Sequence, residues 1–149
     1  MPNFSKNWKY WSPILLHKLF IRLSTSFGEH PDTYRPGYNG GIFQVDKIGF
    51  TDTQNTRAHP SLKSKYARIA FAFGITWGEV RWVELRKPLY SALAARLHLS
   101  NVPAAIPVSL AGQAEYWKRY YNTEAGGGSV ESFIKRWEEY INRKGEVGT

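Results

Sequence analysis

PLYSALAARLHLS, residues 88–100, is the stretch on which the class of this chain turns. Pro88 suits the first turn of a helix, where its missing N–H costs nothing. The Ala and Leu content that follows is that of a strong helix former, so the segment is expected to be a central helix. Toward the N-terminus, Pro60 or Ser61 opens a second helix, with Leu62, Tyr66, Ile69 and Phe73 at spacings of four, three and four and Gly74 as its stop. Thr76 and Glu79 stand at capping-box spacing. Toward the C-terminus, NVPAAIP is a connection and Ser109 caps SLAGQAEYWKRYYNT. After the turn EAGGGS, Ser129 caps a last helix striped by Phe133, Trp137, Tyr140 and Ile141. The remaining helix starts at Ser12-Pro13, carries Ile14, Leu15, Leu19, Ile21 and Leu23 to about Phe27, and has Gly28 as a C-cap.

Between the first two helices lie residues 29–41, a loop by composition, and 50–60, FTDTQNTRAHP, another. GIFQVDKIGF, between them, is too short for periodicity to separate a strand from a helical turn. The expectation is five helices in a mainly α fold with a minimal β element or long loops. A length of 149 residues fits one domain, with residues 1–11 as an arm that packs on the body and 145–149 as a frayed tail.

Composition bounds the chemistry. There is no cysteine, which excludes disulfides and thiol catalysis. No run approaches the roughly 18 apolar residues of a membrane span, and MPNFSKNWKYWSP lacks the apolar region of a signal peptide. The net charge is +8, unevenly spread: residues 1–78 hold ten Lys/Arg and four acids, all four within Glu29–Asp52. Such a protein is attracted to polyanions, whether nucleic acid, anionic lipid or bacterial wall.

The densest functional signal is GEHPDTYRPGYNGGIFQVD, residues 28–46. A carboxylate at a helix end beside aromatic rings is open to partial desolvation, which raises its pKa and lets it hold a proton near neutrality. A general acid for glycosidic cleavage needs that property. Glu29 is the candidate; Tyr34 and Tyr38 could stack on sugar faces, and Asn39, Gln44 and Asp46 could hydrogen-bond to hydroxyl and acetamido groups.

At these residues the chain resembles the goose-type lysozymes and lytic transglycosylases, in which a catalytic Glu is followed by a Gly-to-Gln segment lining the cleft. Glu29 matches that Glu, Gly41-Ile42-Phe43-Gln44-Val45 match the segment, and Asp46 matches an aspartate of some members. Tyr121 and Asn122, in YYNTEAGGGSV, loosely match a Tyr-Asn-Ala-Gly motif and would line the opposite wall. His30 replaces the usual Ser or Thr, and Phe43 the usual Met. The resemblance implies cleavage of the bond between N-acetylmuramic acid and N-acetylglucosamine in peptidoglycan by a phage lysin or virion-associated lysin. The partners would be glycan strands and other virion proteins. The location would be the virion or the host cytoplasm or periplasm. In a transglycosylase Glu29 alone would act, aided by the substrate's N-acetyl group; in an inverting hydrolase a second carboxylate, Asp46 or less readily Asp32, would activate water.

Other readings compete. Glu29 could be a solvated loop acid, Asp46 a helix N-cap, and Gln44 a backbone-capping residue. A non-catalytic virion structural protein on a lysozyme-like scaffold is the second hypothesis. Nucleic-acid binding, through the basic-aromatic runs NWKYW (7–11) and YWKRYY (116–121), is the third; aromatic stripes on helices are more often core. His17, His30, His59 and His98 have no metal-ligand spacing, so neither metal nor cofactor is expected, and GGG at 126–128 lacks the Lys-Ser/Thr of a phosphate loop.

Overall fold

The computed structural model describes residues 40–123 and 126–147. Among them there is no strand: the elements are five α-helices, three 3-10 turns and one π turn, which makes the fold mainly α. The expected helix over 13–27 and the arm over 1–11 lie outside the described residues. Contacts divide the chain at Pro103–Ala104 into two units.

The first unit, residues 40–103, opens with a 3-10 turn, Gly41–Phe43, followed by helix α1, Lys47–Thr53. Helix α2 spans Leu62–Phe73 and α3 spans Pro88–Ser100, with 3-10 turns Trp77–Glu79 and Trp82–Arg86 between them. Helix α3 is the hub that its composition predicts. Its Leu93, Ala94, Ala95 and Leu97 are buried, and it packs on α1 and on the turns at 41–43 and 82–86. Gly74 ends α2 in the left-handed conformation at φ 65°, its N–H bonded to the Ala70 carbonyl.

Of the two readings open for GIFQVDKIGF the helical one holds, as the 3-10 turn at 41–43 and the start of α1, with Gln44–Asp46 outside any helix between them. The loop expected from residue 50 needs correction, since it begins only after Thr53. The causes are a cap and an anchor that a short window hides. Asp46 caps α1, its Oδ1 accepting the Gly49 N–H at 2.7 Å. Phe50 and Thr53 are buried, and the Trp77 indole N–H donates to Thr53 Oγ1 at 3.0 Å. The Thr76–Glu79 box does not form either: the turn at 77–79 has no side-chain cap. Glu84 instead accepts from the Arg81 N–H at 2.8 Å.

The second unit, residues 104–147, holds α4, Leu110–Trp117, a π turn at Lys118–Asn122, and α5, Val130–Val147. Ser109 caps α4 by accepting the Gly112 N–H at 3.1 Å, and Ser129 Oγ accepts the Ser132 N–H at 3.1 Å at the head of α5. Trp117 lies against Phe133 with ring centroids 5.1 Å apart, joining α4 to α5 in the core of this unit. Helix α5 continues to Val147, into the stretch expected to be a frayed tail. No helix among the described residues is long and apolar enough to cross a membrane.

Candidate functional site

The Gly40–Asp46 segment is a tight turn whose backbone is pinned by side chains distant in sequence. Gly40 has φ 91° and Gly41 has φ 78°. A Cβ at Gly40 would sit 1.8 Å from the Val45 carbonyl oxygen, and one at Gly41 would sit 2.0 Å from that of Leu85. Both contacts are with backbone, so only glycine fits. Ser91, fully buried in α3, closes the turn: its hydroxyl donates to the Gly40 carbonyl at 2.9 Å and accepts the Phe43 N–H at 3.1 Å. The Trp82 indole N–H donates to the Val45 carbonyl at 2.9 Å.

Gln44 sits at the crest. Its backbone is left-handed, φ 51° and ψ 44°, a conformation that costs a non-glycine residue roughly 1–2 kcal/mol. The surroundings explain why it persists. Phe43 and Val45, on either side, are both buried at 3% exposure. An extended strand would send them to the same face and Gln44 to the other; here a 3-10 turn and a reversed residue achieve that burial while bonding the Gln44 N–H to the Gly41 carbonyl at 2.9 Å. Gln44 is left half-buried on a rigid support.

The sequence-derived residues fall into three groups. Gln44 and Asp46 share this turn. Asp46 is exposed and engaged as the α1 cap. Tyr121 and Asn122 belong to the second unit, both half-buried in the π turn. Asn122 serves the glycine loop, its Nδ2 donating to the Gly128 carbonyl at 3.1 Å. Lys118 Nζ donates to the Gly126 carbonyl at 2.9 Å beside it. Thr123, next in the chain, takes φ 59° and ψ 172°, a region almost reserved for glycine. Glu29, Asp32, Tyr34, Tyr38 and Asn39 lie outside the described residues, as do His17 and His30.

Sequence reasoning missed the residues that hold the turn, Ser91 and Trp82. A serine in an Ala/Leu helix carries no signal of a contact nearly fifty residues away. It also missed a polar network between α1 and the C-terminal end of α3. Asp52 Oδ1 is 2.9 Å from His59 Nε2, and Asn101 Nδ2, at the end of α3, donates to Asp52 Oδ2 at 3.1 Å. Burial alone would raise the Asp52 pKa, but the hydrogen bonds from Asn101 and His59 and the charges of His59 and His98 outweigh it and hold the carboxyl below its ordinary value. The pair of histidines and one carboxylate form no group of three ligands spaced for a metal among the described residues. In the basic-aromatic run 116–121, Tyr116 and Trp117 are buried, and the Tyr116 hydroxyl donates to the Ala104 carbonyl at 3.1 Å.

No family model, no curated protein and no solved structure matches this chain.

Proposed function

We propose that this protein is a peptidoglycan-cleaving enzyme of the lytic transglycosylase type, with Glu29 as its single catalytic acid and base and Gln44 on the wall of the glycan cleft. The observation that carries the reading is the Gly40–Asp46 turn. The motif that resembles the cleft-lining segment of that family is built as a rigid, strained turn. Two obligatory glycines, a left-handed Gln44 and anchors from Ser91 and Trp82 fix it. Strain of that kind persists where the surroundings over-determine it, and it concentrates at functional sites. A glycosidase cleft needs such a support, because hydrogen bonds to sugar act on the transition state only if their donors and acceptors are already in place.

The engagement of Asp46 favours the single-carboxylate route. Asp46 Oδ1 accepts the Gly49 N–H at 2.7 Å, so capping α1 already accounts for this carboxylate without a catalytic role. In the transglycosylase route Glu29 protonates the glycosidic oxygen and the substrate's N-acetyl group assists departure. Glu29 then removes the proton of the C6 hydroxyl as that oxygen attacks C1, giving an anhydro product.

Glu29→Gln is expected to abolish muropeptide release from purified sacculi while thermal unfolding stays unchanged; retained release would end the proposal. Asp46→Asn separates the two routes, since Asn is as good an N-cap as Asp but is no base. Anhydro products at near-normal rate from Asp46→Asn are the expected result. A selective loss of turnover with reducing-end products would make Asp46 the hydrolytic base.

A further inference from the structure

Helix α2 has an end that nothing in the glycan reading uses. Its first seven residues carry Lys63, Lys65 and Arg68; its last turn, Ala70-Phe71-Ala72-Phe73-Gly74, is uncharged and exposed along its whole length. Phe71 is 81% exposed and Phe73 51%. The helix is held through Leu62 and Ile69, which are buried, and through Tyr66, whose hydroxyl bonds to the Thr53 carbonyl. The charge is equally one-sided. Residues 53–78 contain no acid and four cations, Arg57, Lys63, Lys65 and Arg68. Among the described residues none of these four forms an ion pair. Lys65 donates only to Ser61 Oγ, at 3.2 Å, and burial together with the nearby Arg68 charge pushes its ammonium pKa down. Crowded like charges without a counter-ion make an anionic partner favourable.

The arrangement distinguishes between partners. Single-stranded nucleic acid stacks successive bases on aromatic rings that share one side. Phe71 and Phe73 are two residues apart, so they leave the helix about 200° apart, on nearly opposite sides. That geometry fails as a stacking platform but suits a helix end entering an apolar medium tip first. The charges are segregated along the axis, not interleaved with the rings. Arg68 lies about 7–8 Å of helix rise before Phe73, close to the 5–10 Å to which interfacial helices bury their apolar parts. Lysine and arginine stems can lie along that layer with their charged ends at the phosphates.

We propose that the C-terminal turn of α2, Ala70–Gly74, inserts into the interfacial layer of an anionic lipid bilayer, with Lys63, Lys65 and Arg68 on the lipid phosphates. The chain has no cysteine, so Ala72→Cys gives a single site for an environment-sensitive fluorophore next to Phe71. With the full-length protein and vesicles of phosphatidylglycerol and phosphatidylcholine, the label is expected to shift to the blue. With phosphatidylcholine alone it should not, and 0.5 M salt (about a 4 Å screening length) should weaken the shift. Phe71→Ser, at a site too exposed to disturb folding, should lower partitioning about tenfold. Lys63→Ala and Arg68→Ala should each lower it about fivefold. Equal binding to neutral vesicles, an unshifted label on anionic ones, or partitioning indifferent to Phe71→Ser would each overturn the proposal. So would a response to oligothymidylate with none to vesicles, which would assign the face to nucleic acid.

Discussion

Two glycine turns, one in each unit, are held in opposite ways. Gly40–Asp46 is fixed from afar: Ser91 and Trp82 reach it across 37 to 51 residues of chain. The turn at Gly126–Gly128 is fixed from close by, through Asn122, Lys118 and Trp117, all within eleven residues. The first therefore exists only when the unit around it is folded, and its conformation reports on tertiary structure. The second is a local device that joins two helices. A candidate site on the first turn inherits the stiffness of the whole unit.

The largest expected effect breaks the first turn. In Gly41→Ala the new methyl meets the Leu85 backbone at 2.0 Å with φ at 78°, and backbone cannot step aside as a side-chain tip can. A loss of about 4 kcal/mol or more is expected, seen as a collapse of the urea midpoint or as failure to fold. Ser91→Ala comes next. It leaves the Phe43 N–H and the Gly40 carbonyl buried without their partner, at roughly 1–3 kcal/mol for each such group. The expected loss is about 2–4 kcal/mol by chemical denaturation. Cleavage should fall further than stability does, because Gln44 rides on this turn; a variant that loses stability but keeps its normal turnover would disconnect the turn from the site.

A smaller effect tests the Asp52 network. The Asp52 carboxyl is held below its ordinary value of 3.8, against the opposing effect of burial, by Asn101, His59 and the His98 charge. A depressed carboxylate contributes stability that is fully present above its unfolded pKa and is lost as pH falls through the folded one. Acidification below about pH 4 should therefore destabilise the wild type more than Asp52→Asn, and urea midpoints measured from pH 6 to pH 2 should converge. The pair is part-exposed, so the difference should stay under about 1 kcal/mol. Curves that remain parallel would remove Asp52 from the network.

What the sequence disclosed follows the same division between local and remote. Pro88, Gly74, Ser109 and Ser129 act through their own neighbours, and each marks its helix end where local chemistry predicts. Helix α1 was hidden because its seven residues depend on a burial partner, Trp77, 24 positions from Thr53. The motif of the candidate site was readable as a pattern, but its mechanical basis was not. The double glycine signalled a turn, yet nothing near residue 40 announced that Ser91 would complete it or that Leu85 would crowd it. The Tyr-Asn pair suggested a cleft wall from its pattern alone; the hydrogen bond from the Asn122 carboxamide to a carbonyl six residues away was not legible in that pattern.

Gly127 gives the smallest expected effect and the sharpest control on the comparison. A Cβ there meets nothing within 4 Å, and its φ lies outside the left-handed region, whereas its neighbours Gly126 and Gly128 are blocked by Asn122 and by the Trp117 ring. Alanine at this position fits the folded backbone and narrows the unfolded ensemble, a combination that stabilises by about 0.4–1 kcal/mol. Gly127→Ala should thus raise the unfolding midpoint slightly, while Gly41→Ala, the same chemical change in the other turn, removes it. If Gly127→Ala destabilises, the second turn is constrained by more than its immediate neighbours, and the contrast between a locally and a remotely fixed turn fails.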